Sequence, residues 1–285
     1  MKKFLRRHFN RFLPTWLRQQ IKRRLQARFT SEVETKMVLE ETFFHLRCSI
    51  EEVGSFLAPL DCKDDLVHFT ATRDGRAEFD SIGGAAKSGG ILFDIGAHTG
   101  LVSALFCAAG AGNTVYSFEP SPVLVKRLQA IRDLNQLGDR MQVEQIGIGA
   151  STGTMEMLLD PAGGYIQSQR FEHTMWAAPE TIQIRLESIP DAAARLGVIP
   201  DFIKLDIESY EFEAVTGAAD FLSRYKPAIF LELHLSYLQQ RNLSAKAVVE
   251  TLSRCAYEFY TSDGSRLKPA ELYDSPLSNI HALAR

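Results

Sequence analysis

Long apolar runs are absent from this chain of 285 residues: no stretch reaches the roughly 18 consecutive apolar residues that a membrane-spanning helix requires. Cysteine is scarce, and no Cys-x-x-Cys pair occurs, so we expect buried free thiols rather than a zinc site or disulfides. Internal repeats and low-complexity tracts are also missing. These absences predict a cytoplasmic globular protein. The four cysteines are Cys48, Cys62, Cys107 and Cys255.

Basic residues are few outside the beginning of the chain. Ten of the 32 Lys and Arg residues precede the first acidic residue, Glu32, so the rest of the chain is acidic although the net charge is only −3. An acidic body makes nucleic acid a poor candidate partner. In residues 1–30, aromatic and aliphatic side chains recur at helical spacing between the cations. This pattern predicts amphipathic helices that either bind the inner face of a membrane peripherally or pack on the following domain.

The remaining N-terminal residues have mixed patterning. Helical periodicity continues through Phe44, and a weak strand pattern occupies residues 66–70. Paired glycines between residues 83 and 90 have the composition of a linker. We therefore predict a helical extension and linker over residues 1–87 and a catalytic domain over residues 88–285.

The segment ILFDIGAHTG, residues 91–100, carries most of the information about function. A short apolar strand ends in Asp94 and is followed by a Gly-x-x-x-Gly turn and a helix of small residues. This order is typical of the first strand, turn and helix of a Rossmann-like fold. With the strands and helices that follow, it predicts an α/β fold: a doubly wound, mostly parallel, seven-stranded sheet with helices on both faces.

The turn and the next strand favour one class of cofactor. Glu119 ends the second strand, where such folds place a carboxylate that accepts hydrogen bonds from ribose hydroxyls. A dinucleotide fingerprint needs glycine at the middle position of the turn, whereas His98 stands here and would obstruct a pyrophosphate. S-adenosylmethionine has no pyrophosphate, so the turn and Glu119 favour this cofactor over a nicotinamide dinucleotide.

Polar side chains also lie on two later apolar strands, within residues 201–219 and 228–235. Because side chains alternate along a strand, Lys204 shares a face with Asp206, and Glu232 shares a face with His234. A Lys204–Glu232 ion pair that only joins the strands is one interpretation. Asp206, Glu208 and His234 lie at or beyond the carboxyl ends of the strands, where ligands bind in open α/β sheets, so we interpret them as functional.

These motifs make the chain resemble the FkbM family of S-adenosylmethionine-dependent methyltransferases over roughly residues 88–285. The motifs are FDIGAHTG at 93–100, YSFEPSP at 116–122, DFIKLDIESYEFEAVTGA at 201–218 and PAIFLELH at 227–234. The resemblance implies that Asp206 lies beside the methionine end of the cofactor. The family usually has glycine where this chain has Ser209, a change that either caps the next helix or reshapes the pocket. The predicted cofactor-binding residues are Asp94, Gly96, His98, Gly100, Glu119 and Asp206.

The expected reaction is methyl transfer to a hydroxyl of a glycan, glycolipid or secondary-metabolite acceptor. A hydroxyl needs a general base or an acidifying metal. His234 is the first choice of base, and a Mg²⁺ or Mn²⁺ site built from neighbouring carboxylates is the alternative. Other functions left open are a nicotinamide-dependent oxidoreductase and a non-catalytic binding module. The catalytic candidates are His234, Asp206, Glu208, Lys204 and Glu232; the metal candidates are Asp206, Glu208, Glu232 and His234.

The irregular stretch over residues 160–180 contains several aromatic and amide side chains. Long loops in compact domains are often binding elements, so a substrate lid and a variable surface excursion are equally consistent with this composition.

Overall fold

The computed structural model describes residues 37–41, 45–71, 73–160, 166–169, 178–275, 277 and 280–285. The strands are β1 Met37–Glu41, β2 Leu46–Ile50, β3 Gly54–Ala58, β4 Ile91–Ile95, β5 Thr114–Phe118, β6 Met141–Glu144, β7 Gly147–Gly149, β8 Gly153–Leu159, β9 Ile166–Gln167, β10 Glu180–Ser188, β11 Phe202–Leu205, β12 Ala228–Leu233, β13 Phe259–Tyr260, β14 Arg266–Leu267 and β15 Ile280–Ala284. The helices are α1 Lys63–Ala71, α2 Arg73–Ala86, α3 Leu101–Ala108, α4 Pro122–Leu134, α5 Ile189–Leu196, α6 Glu211–Gly217, α7 Ala219–Tyr225, α8 Leu235–Gln240, α9 Ala245–Arg254 and α10 Pro269–Tyr273.

The central sheet has the strand order β14-β13-β15-β12-β11-β4-β5-β6. The five strands from β12 to β6 run parallel, and β15 lies antiparallel beside β12. The predicted mostly parallel α/β sheet is confirmed, with eight strands where the sequence predicted seven. The shortest strands, β13 and β14, pair across a turn in which Thr261 and Ser265 hydrogen-bond to each other. Two such short strands leave almost no periodicity to detect in the sequence.

Alternating side chains of the central strands fill two separate cores. Leu92 of β4 packs into a core with residues of α1–α4, whereas the next residue, Phe93, packs into a core with residues of α5–α10. The predicted helices on both faces of the sheet are therefore present. All four cysteines are buried free thiols, as the sequence predicted.

The segment before the catalytic motif differs from the predicted helical extension. Strands β1–β3 form an antiparallel sheet within the predicted extension, and β1 lies where helical periodicity was expected. Burial in β2 alternates with the period of two of a strand. Conversely, the weak strand pattern at 66–70 belongs to helix α1. Asp64 and Asp65 occupy its first turn, where carboxylates stabilise a helix N-terminus.

This N-terminal segment packs against the sheet. Leu46 of β2 and Phe79 of α2 belong to the same core as Leu105 of α3. The Asn135 side chain donates to the carbonyl of Leu57 and accepts from its N–H, both at 2.7 Å, which satisfies an edge position of β3. The division near residue 88 stays a prediction. The amphipathic residues 1–30 lie outside the described residues, in which no helix has the length and apolar character needed to cross a membrane.

A second small sheet, of order β7-β10-β8-β9, covers one side of the domain. β7 and β8 follow each other closely in the chain but do not pair with each other. Both instead pair with β10, which inserts between them. The 160–180 stretch therefore lies in the connection from β8 to β10.

Candidate active site

A cavity of about 550 Å³ opens at the carboxyl ends of the parallel strands, within the size range of small-molecule sites. One wall is apolar and includes Leu101, Val102 and Phe118. The opposite wall carries the polar ends of β11 and β12. The predicted site residues that line the cavity are Gly96, His98, Glu119, Lys204, Asp206, Glu208 and Glu232.

Two glycines in the turn after β4 are required by the close packing of the protein around them. Gly96 has φ +79°, and a Cβ added to it would lie 1.9 Å from the carbonyl oxygen of Asp206. Gly100 has φ +92° and precedes α3, and its Cβ would lie 2.7 Å from Leu128. Both glycines were predicted to bind the cofactor. The space that they leave is taken by the protein itself, and Gly100 lies outside the cavity lining.

Glu119 is held by the turn from β4. Its Oε2 accepts from the His98 N–H at 3.0 Å, and its Oε1 accepts from the Ser121 N–H at 2.9 Å. Burial raises the pKa of Glu119 to about 7, against the lowering effect of these two hydrogen bonds. Each carboxylate oxygen can accept more than one hydrogen bond, so Glu119 keeps capacity for hydroxyl donors in the cavity.

The Glu119 pKa predicts how cofactor affinity depends on pH. Below about pH 7 the carboxyl is protonated and is a weaker acceptor, so we expect the affinity for S-adenosylhomocysteine to fall as the pH drops, by at most about tenfold per unit. The contribution of Glu119 to folding stability changes with pH in the opposite direction. Because the folded pKa is raised, the contribution of Glu119 to stability is largest at acid pH and is lost as the pH rises through about 7.

Calorimetric titration between pH 5.5 and 8.5 tests this prediction. Glu78 and Glu208 titrate in the same range, so Glu119→Gln is the decisive comparison. If the variant retained the pH dependence of the wild type, the dependence would belong to another group.

Asp94 lies behind the cavity. Its side chain is fully buried and does not line the cavity. Asp94 Oδ2 accepts from Ser103 Oγ at 2.6 Å, and Ser103 Oγ lies 2.7 Å from Ser117 Oγ. Burial raises the Asp94 pKa above its ordinary value. This geometry ties β4, β5 and α3 together, so the predicted contribution of Asp94 to cofactor binding would act through the backbone turn.

Lys204 and Asp206 form a close ion pair at the floor of the cavity. Lys204 Nζ donates to Asp206 Oδ2 at 2.9 Å and to the Gly96 carbonyl at 3.1 Å. The ion-pair partner of Lys204 is thus Asp206, two residues further along the chain. The sequence interpretation had suggested Glu232 as the partner. Burial alone would raise the Asp206 pKa, but Lys204 and then His234 outweigh it and hold the value at about 2. Asp206 is therefore ionised at neutral pH.

His234 lies among four carboxylates. Its Nδ1 is 3.0 Å from Glu211 Oε1, and its Nε2 is 3.6–3.8 Å from oxygens of Asp206, Glu208 and Glu232. Burial would lower the His234 pKa, but these carboxylates, Glu211 first, raise it well above the ordinary value. The imidazole is thus held as a cation, and it lies outside the cavity lining.

Glu211 is a residue that the sequence interpretation missed. Its side chain is fully buried in α6, and Oε1 accepts from the Ile207 and Ser209 N–H groups at 3.0 and 3.2 Å as well as facing His234. The only sequence signal is its place five residues after Asp206. Its role depends on the backbone reversal between the two residues.

That reversal also corrects the suggested capping role of Ser209. Glu208 has φ +53° and Ser209 has φ +85°, both left-handed, and α6 begins after Tyr210 without a side-chain cap. The reversal points Glu208 into the cavity. Burial raises the Glu208 pKa to about 7, and its buried Oε2 faces His234 Nε2 at 3.6 Å without a hydrogen bond.

The N-terminal segment supplies the far wall of the cavity. Asp64, Asp65, His68 and Phe69 of α1 line it, together with Glu78 of α2, whose pKa burial raises to about 7. None of these was a candidate in the sequence interpretation, because no motif surrounds them.

Part of the 160–180 stretch also reaches the site. Ile166 of β9 lines the cavity, and Gln167 beside it is buried. The residues at 161–165 and 170–177, including His173 and Trp176, lie outside the described residues. The lid interpretation therefore stays a prediction.

The residues present fit S-adenosylmethionine. The apolar wall beside Glu119 suits an adenosine moiety whose ribose hydroxyls donate to this carboxylate. Carboxylates outnumber cations around Asp206, which suits the sulfonium and ammonium groups at the other end of the cofactor.

Solved structures match this chain at low sequence identity. The FkbM methyltransferase of Methylobacillus flagellatus is 21% identical, with a TM-score of 0.41, and the match covers 69% of this chain but only 43% of that protein. An O-methyltransferase family protein of Burkholderia thailandensis is 11% identical over 79% of this chain and 58% of its own, with a TM-score of 0.43. Aeropyrum pernix fibrillarin, solved with S-adenosylmethionine bound, is 9% identical over 88% of this chain and 98% of its own, with a TM-score of 0.38.

Sequence comparison gives the family directly. No curated protein matches the chain significantly. The model of the methyltransferase FkbM domain, however, matches residues 94–259, more than half of the chain. The cavity residues outside this range are those of α1 and α2 and His281 of β15. The chain therefore belongs to the FkbM family of S-adenosylmethionine-dependent methyltransferases.

Proposed function

We propose that this protein transfers a methyl group from S-adenosylmethionine to a hydroxyl of an uncharged, polyhydroxylated acceptor, a class that includes glycans, glycolipids and many secondary metabolites. One observation carries the proposal. A single cavity joins Glu119, suited to ribose hydroxyls, to the carboxylates Asp206, Glu208 and Glu232, which can orient and deprotonate an acceptor hydroxyl.

The chemistry divides between the cofactor and the protein. The cofactor, when bound, supplies a methyl group already activated by its sulfonium. The protein must align an acceptor oxygen and remove its proton, and alignment alone can contribute several kcal/mol to the barrier reduction, up to about 7–11 kcal/mol in well-oriented systems. Asp206, ionised and fixed by Lys204, would orient donors at this end of the cavity.

Glu208 is the better placed proton acceptor. A general base works best with a pKa near the working pH, and Glu208 lines the cavity with a pKa of about 7. His234, the first choice from sequence, is held protonated by its carboxylate neighbours and lies behind them. We therefore assign His234 the role of holding Asp206, Glu208 and Glu232 together.

The charge of the cavity defines the acceptor class. Seven carboxylate residues line the cavity, and its lysine, Lys204, is already paired with Asp206. A phosphate, sulfate or carboxylate on the acceptor would be repelled here, since like charges in a partly buried site cost several kcal/mol when juxtaposed, on the order of the penalty at mismatched interfaces. An uncharged polyol meets many hydrogen-bond acceptors. The carboxylates are Asp64, Asp65, Glu78, Glu119, Asp206, Glu208 and Glu232.

A metal-assisted mechanism is the second candidate. Ligand atoms of Asp206, Glu232 and His234 lie within 4.8 Å of one another, a donor set that suits Mg²⁺ or Mn²⁺. Lys204 and the His234 cation already balance part of the negative charge, however. We therefore expect turnover without a metal.

The experiment uses labelled S-adenosylmethionine with a panel of matched acceptors. We expect transfer to neutral oligosaccharides and glycolipids, at least tenfold less transfer to their sulfated or phosphorylated forms, and no change on adding a chelator. Chemical analysis of the product distinguishes O- from N-methylation. Preference for anionic acceptors would contradict the proposed class, chelator-sensitive turnover would favour the metal mechanism, and no transfer to any acceptor would favour a non-catalytic binding module.

A further inference from the structure

The loop that carries Asp206 and Glu208 to the cavity holds a disfavoured backbone. Glu208 and Ser209 are consecutive non-glycine residues with φ +53° and +85°. In this conformation the Cβ atom crowds its own backbone, so such residues persist only where their surroundings hold them in place. The position of the Glu208 carboxylate therefore depends on whatever fixes Ser209.

From the inner side, Glu211 fixes the loop. Its Oε1 accepts from the N–H groups of Ile207 and Ser209 and leaves the Ser209 carbonyl and hydroxyl to another partner. These two groups bond instead to Arg241, the residue that follows α8.

From the outer side, Arg241 reaches the same residue. Its Nη1 donates to the Ser209 carbonyl at 2.8 Å and to Ser209 Oγ at 3.2 Å. Its guanidinium also pairs with Glu213 and stacks 4.3 Å from the centre of the Tyr210 ring. The Arg241 side chain is only 12% exposed and lies outside the cavity lining, so it does not touch the substrates.

We propose that Arg241 is a positioning residue of the methyltransferase. By binding the carbonyl and the hydroxyl of Ser209 it holds this residue left-handed, and it thereby aims the neighbouring Glu208 carboxylate into the cavity. A planar guanidinium can donate to Ser209, pair with Glu213 and stack on Tyr210 together, which a lysine ammonium cannot do. The catalytic part of this inference rests on the proposed function.

Two measurements on Arg241→Gln test the proposal. We expect kcat to fall about 10- to 100-fold, since small displacements of catalytic groups have effects of this size, while the S-adenosylhomocysteine affinity changes less than about threefold. Hydrogen exchange of the backbone amides of residues 207–211 should accelerate in the same variant, whether or not an acceptor is known. Arg241→Lys is expected to behave like Arg241→Gln and serves if the glutamine variant folds poorly.

The sharpest test is rescue by glycine. Glycine adopts positive φ without the Cβ penalty, so Arg241→Gln combined with Ser209→Gly should recover much of the lost kcat and slow the amide exchange again. Arg241→Gln combined with Ser209→Ala keeps the Cβ and should recover neither. Arg132→Gln, which removes a surface arginine paired with Asp133, controls for a general effect of lost charge.

Several results would overturn the proposal. Unchanged kcat and unchanged amide exchange in Arg241→Gln would do so, as would equal rescue by alanine and glycine. If the wild type transferred no methyl group to any acceptor, the proposed function would fail, and amide exchange with its glycine-specific rescue would still decide whether Arg241 holds the loop.

Discussion

Replacement of Glu208 by glutamine is expected to lower kcat for methyl transfer by about 10²- to 10⁴-fold, the usual contribution of a general base. Glutamine keeps the size and the hydrogen-bonding capacity of the side chain but cannot take a proton. Because Asp206 and Glu119 are untouched, the affinity for S-adenosylhomocysteine should change little. The rate is measured with the acceptor that the panel identifies, at saturating cofactor.

Glu250→Gln is the matched control, because Glu250 forms only an exposed ion pair with Lys246 on α9. Its kcat should equal that of the wild type. A Glu208→Gln variant within twofold of wild-type kcat would exclude Glu208 as the base. In that case His234 would have to lose its proton on substrate binding to serve instead.

Replacement of Gly96 by alanine is expected to destabilise the protein by about 2–5 kcal/mol and to abolish cofactor binding. A left-handed alanine costs about 1–2 kcal/mol, and an overpacked contact adds about 1–3 kcal/mol. The new Cβ would lie 1.9 Å from the Asp206 carbonyl, so the ends of β4 and β11 must separate. Urea denaturation gives the change in the free energy of unfolding.

Gly84→Ala is the matched control, because the same substitution is expected to stabilise the protein at this position. Gly84 lies in α2, and a Cβ there would meet nothing within 4 Å, so alanine should stabilise the protein by about 0.5–1 kcal/mol. If Gly96→Ala retained wild-type stability and cofactor affinity, the close approach of the two strand ends would not be essential to the site.

Much of the catalytic fold could be predicted because its signals are local. Strands β4, β5, β11 and β12 are apolar runs that end in charged residues, and both features are visible without tertiary contacts. The strands β1–β3 lie within a segment predicted as a helical extension, because strands of only five residues are too short to show a clear period in the sequence. Their antiparallel pairing identifies them as strands, and this pairing is visible only in the folded structure.

The candidate site was predictable only in part, for a related reason. Asp206, Glu208 and His234 follow strands, so their convergence follows from the sheet. Glu211 and Arg241 act through the left-handed backbone at Ser209, which no spacing rule predicts. The carboxylates that make His234 a cation, against the effect of its burial, come from three separate elements, so its protonation state could not be read from the sequence.

The far wall of the cavity illustrates the same limit. Asp65 and Glu78 belong to helices that carry no catalytic motif, and only the packing of α1 and α2 on the sheet brings them to the cavity. The sequence thus says least about this wall of the cavity.

Calorimetric titration of the wild type with S-adenosylhomocysteine at pH 8, beside Glu119→Gln and Glu250→Gln, tests the central claim most directly. The cavity at the strand ends predicts one bound molecule per chain. The affinity should be at least about tenfold weaker in Glu119→Gln, because a hydrogen bond to a charged group contributes about 1.5–3 kcal/mol. The affinity of Glu250→Gln should equal that of the wild type. Absence of binding by the wild type, or equal affinity in Glu119→Gln, would contradict it.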